Sequence, residues 1–409
     1  MPRSATAERL LGVALLLVSL AGIIGPAASS VVARPAIAPG VVLDMQTPPQ
    51  TGGRLLIEDG TAVPPPPYIS GDSLRLADDT PTRSLVCDGP ADDCFYRAIL
   101  GPDGHQVLYQ ATSRGRPMDY SVIRVLDTRT GDDRLLATSA ELPAWSADQR
   151  IAYVQYAPGE RQRADAAQRH PQARIMVQAS IDGQATPWTE PGPFLDLVWA
   201  HDRLLSQVLR GTGPASFLVE LIALDAPTSE RVLATSATLV AVSPDGSSVL
   251  ITKPNPDFAS PPSAIAQLVA VVDGTVLSES QLPPWLDLAE GTWTGDHVVA
   301  VATSPRGGLM HPPPGFAVVR VSAGTVAVER SWGFMGERTE KNWPFYSLGQ
   351  PRFLDATGNR VGAWLGLYVW ISGYLECDLS AHHCVYDTSY ANGQFPENRS
   401  RPLPDQPKS

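Results

Sequence analysis

Six segments share a tight turn flanked by apolar residues, and this repeat limits the fold more than anything else in the chain. They are AILGPDGHQVLYQ from Ala98, PAWSADQRIAYVQ from Pro143, LVWAHDRLLSQ from Leu197, VAVSPDGSSVLIT from Val240, GTWTGDHVVAVAT from Gly291 and RFLDATGNRVGAW from Arg352. The turn positions Asp103, Asp148, Asp202, Asp245, Asp296 and Thr357 are 45, 54, 43, 51 and 61 residues apart. Three residues before each stands a bulky apolar side chain: Leu100, Trp145, Trp199, Val242, Trp293 and Leu354. Asp and Gly adopt turn conformations at little cost, so apolar strand, Pro-Asp-Gly and β-branched run together read as a hairpin. A second hairpin lies between repeats, as in YSVIRVLDTRTGDDRLLATS from Tyr120. Four strands in roughly 45–50 residues is the period of a propeller blade. The expected class is all-β, a β-propeller of four-stranded blades. Residues 54–96 supply one further blade length, giving seven blades if they form one and six otherwise.

Composition agrees with short strands and frequent turns. Among 409 residues there are 34 Gly and 39 Pro, and apolar runs of four to six residues stop at Asp/Gly/Pro/Ser clusters. The exception is PGERQRADAAQRHPQAR, from Pro158 to Arg174, read as a solvated loop or short helix. A net charge of −11 is the wrong sign for a general nucleic-acid or anionic-membrane binder.

Trp-Ser-Ala-Asp at Trp145–Asp148 and Val-Ser-Pro-Asp-Gly at Val242–Gly246 resemble the repeat of TolB-type β-propellers, of the wider WD-like propeller class. The resemblance covers roughly residues 98–388 and weakens at Ala200–Arg203 and Asp355–Gly358. It implies a radial stack of four-stranded sheets, often exported and often binding proteins at the channel mouth. It implies no activity, and no TolB partner is carried over.

The N-terminus reads as an address. Arg3 and Arg9 precede the apolar stretch Leu10–Ile24, and small residues follow at Pro26–Ser30. That is the pattern of a secretory signal peptide cleaved near Ser29 or Ser30, with an uncleaved membrane anchor as the alternative. Cleavage removes Arg3, Glu8 and Arg9 and leaves a net charge of −12. The expected organisation is signal peptide 1–30, Pro-rich leader 31–53, propeller 54–392 and disordered tail 393–409. The run Pro64–Pro67 is read as partly disordered, like the leader.

Four cysteines form two Cys-x6-Cys pairs, Cys87 with Cys94 and Cys377 with Cys384. Export favours disulfides over a zinc site, and six intervening residues suit a strand–turn–strand hairpin. Bridges Cys87–Cys94 and Cys377–Cys384 are expected, with cross-pairing as the competing arrangement.

No other motif carries chemistry. The sequence has no Gly-x-Ser-x-Gly elbow, no phosphate-binding glycine pattern and no sialidase box beyond the partial match at Gly291–Gly295. Trp145, Trp199 and Trp293 share a repeat position with Leu100, Val242 and Leu354, which makes them blade-to-blade core. His105, His201, His297, His311, His382 and His383 sit near turns without metal-ligand spacing. The pairs Asp78–Asp79, Asp92–Asp93 and Asp132–Asp133 read as solvated, and Asn398–Ser400 as a glycosylation triplet. No catalytic, metal or cofactor residue is assigned. The expected function is a non-catalytic, exported protein- or peptide-binding scaffold, monomeric, with no nucleic-acid partner and no membrane span in the mature chain. The alternative is a carbohydrate-active or peptide-cleaving enzyme with its site in the channel, which carboxylates and a His converging at one channel mouth would favour.

Overall fold

The computed structural model describes residues 52–387, together with 389–390 and 395, except for 77–81, 88–93, 114–120, 158–171, 211–217, 255–263, 285, 304–314, 323–324, 336–345 and 368–370. The described residues form 28 β-strands and no helix. Strand β1 is Gly53–Asp59, and a small sheet follows: β2 (Tyr68–Ser70), β3 (Ser73–Arg75) and β4 (Arg83–Ser84). Four separate four-stranded sheets come next. They are β5–β8 (Cys94–Leu100, Gln106–Ser113, Val122–Asp127, Asp133–Thr138) and β9–β12 (Ala140–Trp145, Ile151–Gln155, Arg174–Gln178, Thr186–Pro187), then β13–β16 (Phe194–Ala200, Arg203–Arg210, Leu218–Ala226, Ser229–Thr235) and β17–β20 (Thr238–Val242, Ser248–Pro254, Ala264–Ala270, Val276–Gln281). Two more are β21–β24 (Asp287–Thr294, His297–Thr303, Gly315–Ser322, Thr325–Met335) and β25–β28 (Tyr346–Phe353, Arg360–Leu367, Ile371–Asp378, His383–Asp387). The fold is a β-propeller.

Each sheet is an antiparallel meander, and the first strands of adjacent sheets touch: β5 and β13 meet β9, and β21 meets β17 and β25. The first strands therefore form the inner edge. Apolar clusters fill the spaces between sheets. Trp145 packs with Ile99 and Leu108, Trp199 with Ala144 and Ile175, and Val242 with Leu205 and Leu221. Arg150 of one sheet lies 4.4 Å over the Trp199 ring of the next and donates to the Asp202 carbonyl at 3.0 Å. Leu100, Trp293 and Leu354, at the same repeat position, are only partly buried.

The repeated turn owes its shape to one carboxylate. In the turn at 243–248, Asp245 accepts hydrogen bonds from the Ser243 hydroxyl (2.6 Å) and the Ser247 N–H (3.0 Å). Ser248 N–H in turn donates to Ser243 Oγ at 3.0 Å. Gly246 has φ +68°, and a Cβ there would come within 2.5 Å of the His201 nitrogen, so only glycine fits. In the last repeat the carboxylate is Asp355, which accepts from Thr357 Oγ1 (2.9 Å) and Asn359 N–H (3.2 Å). Thr357, aligned by sequence with the turn aspartates, is a donor to that group.

Residues 54–96 do not fold as one four-stranded unit. Strand β1 runs parallel to two outer strands: Gly53–Leu56 pair with Trp332–Met335 of β24, and Leu56–Asp59 with His383–Tyr386 of β28. It thus joins the last two blades into one nine-stranded sheet. The three-stranded sheet packs Ile69, Leu74 and Leu85 on Val107 and Tyr109 of β6, while Tyr68 reaches Trp364 and Tyr374 of the last blade. Parallel pairing and small size both escape a reading based on antiparallel repeats.

Two segments read as disordered contain described residues that are buried. Residues 60–67 are ordered between β1 and β2, with Pro64 buried, because the last blade offers them an apolar face. Phe395, inside the segment read as a frayed tail, is 3 % exposed against Trp364 and Tyr374. Most of the Arg-rich insertion lies outside the described residues, but its final residue, Arg174, begins β11.

Trp199 is 1 % exposed and meets Trp188 edge-on at 6.1 Å. Trp199→Ala leaves a large cavity between two blades and is expected to cost about 3–5 kcal/mol, read as a lowered urea midpoint.

Candidate functional site

The inner edge of the ring gathers charge at one level. By strand register Arg97 faces Gln110, Ala140 faces Gln155, Asp196 faces Gln207, Thr238 faces Thr252 and Asp287 faces Thr303. The second-strand members of these pairs close five of the aligned repeats. Arg97 and Asp196 form an ion pair of 3.0 Å although a whole sheet, β9–β12, separates them in sequence. The intervening inner strand carries only Ala140 at this level, so the guanidinium has room to reach past it. Both side chains are largely buried, where a charge-assisted hydrogen bond is stronger than at the surface.

Asp287 sits at the same level on β21. Burial pushes its carboxyl above the ordinary value of 3.8, while the Thr252 hydroxyl and the Leu288 N–H (2.8 Å) partly offset that push by stabilising the ionised form. Asp196 makes the same local bond, accepting from Leu197 N–H at 2.9 Å. A carboxyl biased toward its protonated form is a group suited to proton transfer.

Bulges in the inner strands shape this level. Register shifts fall between the partners of Ala152 and Val154, and within Phe194–Asp196, Leu239–Ala241, Leu288–Gly291 and Gly349–Arg352. Side chains of the preceding blade bind the backbone there. Gln110 Oε1 accepts from Leu142 N–H (2.9 Å), Gln207 Oε1 from Leu239 N–H (3.4 Å), and Thr252 Oγ1 donates to the Leu288 carbonyl (3.1 Å). The sequence carried a signal for these residues, since each is the polar residue that closes its aligned repeat after an apolar run.

The residues singled out in the sequence lie elsewhere. Cys377 and Cys384 oppose each other in the β27–β28 hairpin and are bonded, with Cα atoms 4.0 Å apart. Cys87 and Cys94 are bonded across 6.4 Å, joining the stretch after β4 to the first residue of β5. No free cysteine remains, which accords with an oxidising setting. Asp133, read as solvated, binds Arg124 Nε at 2.7 Å and accepts from the Tyr109 hydroxyl. His201 is exposed with φ 56°, and His297 pairs with Asp296 and Glu329. Asp78–Asp79, Asp92–Asp93, His311, Asn398–Ser400 and the N-terminal address fall outside the described residues. Among the described residues no cluster of His, Cys, Asp or Glu could hold a metal, and no helix is long and apolar enough to cross a membrane.

Among the described residues, carboxylates and a His do converge, but at the rim and not at the channel. Glu58 of β1 pairs with His383 at 2.9 Å, and His383 stands opposite Asp378. Arg360 pairs with Glu376 nearby. With Ala62 and Val63, Arg360, Glu376, Asp378 and His383 line a cleft of about 370 Å³ on the outer part of the last blade.

The sequence matches no family model and no curated protein. Solved structures do resemble the chain. Prolyl endopeptidases superpose with a TM-score of 0.52 at 12% identity, over 83% of this chain and 50% of theirs. The β-propeller domain of the trilobed protease from Pyrococcus furiosus gives 0.45 at 12% identity, over 70% of this chain and 83% of that domain. A puromycin-hydrolyzing peptidase from Mycobacterium tuberculosis gives 0.45 at 13% identity, over 72% of this chain and 46% of that one. This chain therefore spans about half the length of the prolyl endopeptidases it matches. At such identities the likeness establishes the fold. The expectation of a non-catalytic scaffold is corrected here: the prolyl endopeptidases that share the fold accord with the peptide-cleaving alternative instead.

Asp287 also makes stability depend on pH. Its folded-state pKa lies above the unfolded one, so the folded chain holds the proton longer and stability falls as pH rises from about 3.8 through the raised value. Asp287→Asn removes this loss. The thermal midpoint of the variant, taken relative to the natural chain at the same pH, is expected to rise as pH goes from 4 to 7.

Proposed function

We propose that the protein cleaves peptides, holding them at the inner ends of the blades. The observation that carries this reading is the Arg97–Asp196 pair at the inner ring level. A peptide brings one ammonium and one carboxylate terminus, and an opposed guanidinium and carboxylate can exchange their mutual bond for bonds to those ends. A neutral glycan has no group that would replace either charge. Cleavage adds water across the amide, and Asp287, whose carboxyl burial biases toward the protonated form, is the residue placed to give a proton to the departing amine.

Two further assignments accompany this proposal. The turns at Trp145–Asp148 and Val242–Gly246 support a TolB-type repeat, with Leu100, Trp145, Trp199, Val242, Trp293 and Leu354 as its recurring core. Paired cysteines behind a basic and apolar N-terminus support export as a monomer, with removal of the first 29 or 30 residues.

The test is turnover of a peptide library with free termini against the same peptides acetylated and amidated, followed by mass spectrometry. Free peptides are expected to be cut, with Arg97→Met, Asp196→Asn and Asp287→Asn each lowering the rate at least tenfold while circular dichroism stays unchanged. Intact peptides beside a hydrolysed glycan library, or equal rates in all three variants, would overturn the proposal.

A further inference from the structure

A buried arginine without a counter-ion marks a second site, away from the ion pair of the inner ring. Arg352, on β25, is 7 % exposed, and no carboxylate approaches it among the described residues. Burial draws its guanidinium down to about 10. It donates to the Pro65 carbonyl through Nη2, while its Nε has no acceptor. Trp364 Nε1 and the Tyr374 hydroxyl are likewise buried without an acceptor. Burying such donors unmatched costs free energy, and native folds rarely leave three together.

All three side chains surround one ring. Phe395 lies with its centroid 3.3 Å from the Arg352 guanidinium carbon, 5.4 Å from the Trp364 ring and 5.9 Å from the Tyr374 ring. Tyr374 also meets Trp364 at 5.4 Å and Tyr390 at 6.5 Å, and Tyr390 meets Tyr68 at 5.8 Å. The result is an aromatic box with cationic and neutral donors in its walls. The guanidinium over the Phe395 face is a cation–π contact, but it leaves Arg352 Nε and the neutral donors of Trp364 and Tyr374 unmatched in the walls.

We propose that this box binds an aromatic residue bearing a free carboxylate, such as the C-terminal residue of a peptide, and that Phe395 occupies it as a tethered stand-in. The ring takes the place of Phe395 between Trp364 and Tyr374, and the carboxylate accepts from Arg352, Trp364 and Tyr374. The side chain of Phe395 satisfies the apolar half of the site and leaves the polar half unmet. Binding here does not depend on whether the inner ring cleaves peptides, so either reading can fail alone.

Calorimetric titration of the full chain with N-acetylphenylalanine and with N-acetylphenylalaninamide tests the proposal. Phe395→Ala vacates the box and is expected to bind the acid at least tenfold more tightly than the amide. The natural chain is expected to bind the acid more weakly than the variant does, because the tethered ring competes. Phe395→Leu keeps more of the apolar volume and serves if the alanine variant does not fold; it should show the same preference for the acid. Equal affinity for acid and amide in the folded variant, or no binding of the acid, would overturn the proposal.

Discussion

A four-stranded sheet that is apolar on both faces cannot stand alone in water, and every blade of this chain is such a sheet. Val198, Ala200 and Leu205 face one neighbour while Leu197, Trp199 and Leu204 of the same hairpin face the other. Stacking satisfies both faces of every blade except those at the ends, and only closing the ring removes the ends. Closure is therefore the constraint on which the rest depends. The chain meets it by non-repeating means. Strand β1 binds the outer edges of the last two blades at once, burying Leu55 beside Phe316, Phe334 and Tyr386. The small sheet β2–β4 then lies between the last blade and β5–β8. Parallel hydrogen bonding along β1 also covers part of two edges that would otherwise present free backbone groups.

The repeat made the four-stranded blades legible because turn chemistry is local. A carboxylate that accepts from donors two to four residues on writes itself into the sequence as an Asp at the turn, as Ser-x-Asp at Asp245 and as Asp-x-Thr-x-Asn at Asp355. Closure was illegible because its partners are far apart: Glu58 meets His383 and Ala62 N–H meets the Asp387 carboxylate across 325 residues. The inner-ring pair was hidden for the same reason, since Arg97 and Asp196 occupy different repeats and no local pattern links them. Phe395 was hidden by its surroundings. A single ring in a polar, Pro-rich tail carries no periodicity, and only the box that receives it gives it meaning.

Polar side chains in this fold work at the joints. Gln110, Gln207 and Thr252 each bind the backbone of the following blade where its inner strand bulges. A bulge frees one backbone group from the ladder, and a buried free group is costly unless a side chain takes it. The bulge and its polar partner must therefore occur together. The coupling ties β9, β17 and β21 each to the blade before it.

The small first sheet is also what leaves the last blade partly uncovered. Strands of two and three residues are too short to span the face carried by β26–β28. Nearer the axis, Tyr68, Ala62 and Phe395 fill the gap over Trp364 and Tyr374. Farther out the same face turns polar, with Arg360, Glu376, Asp378 and His383 around the open cleft. The Tyr374 hydroxyl stands where the two regions meet, close over Gly362, where a side chain's Cβ would come within 2.6 Å of it. Glycine at 362 thus lets Tyr374 lie flat on the sheet and keeps its hydroxyl directed along the face, between the aromatic box and the charged cleft.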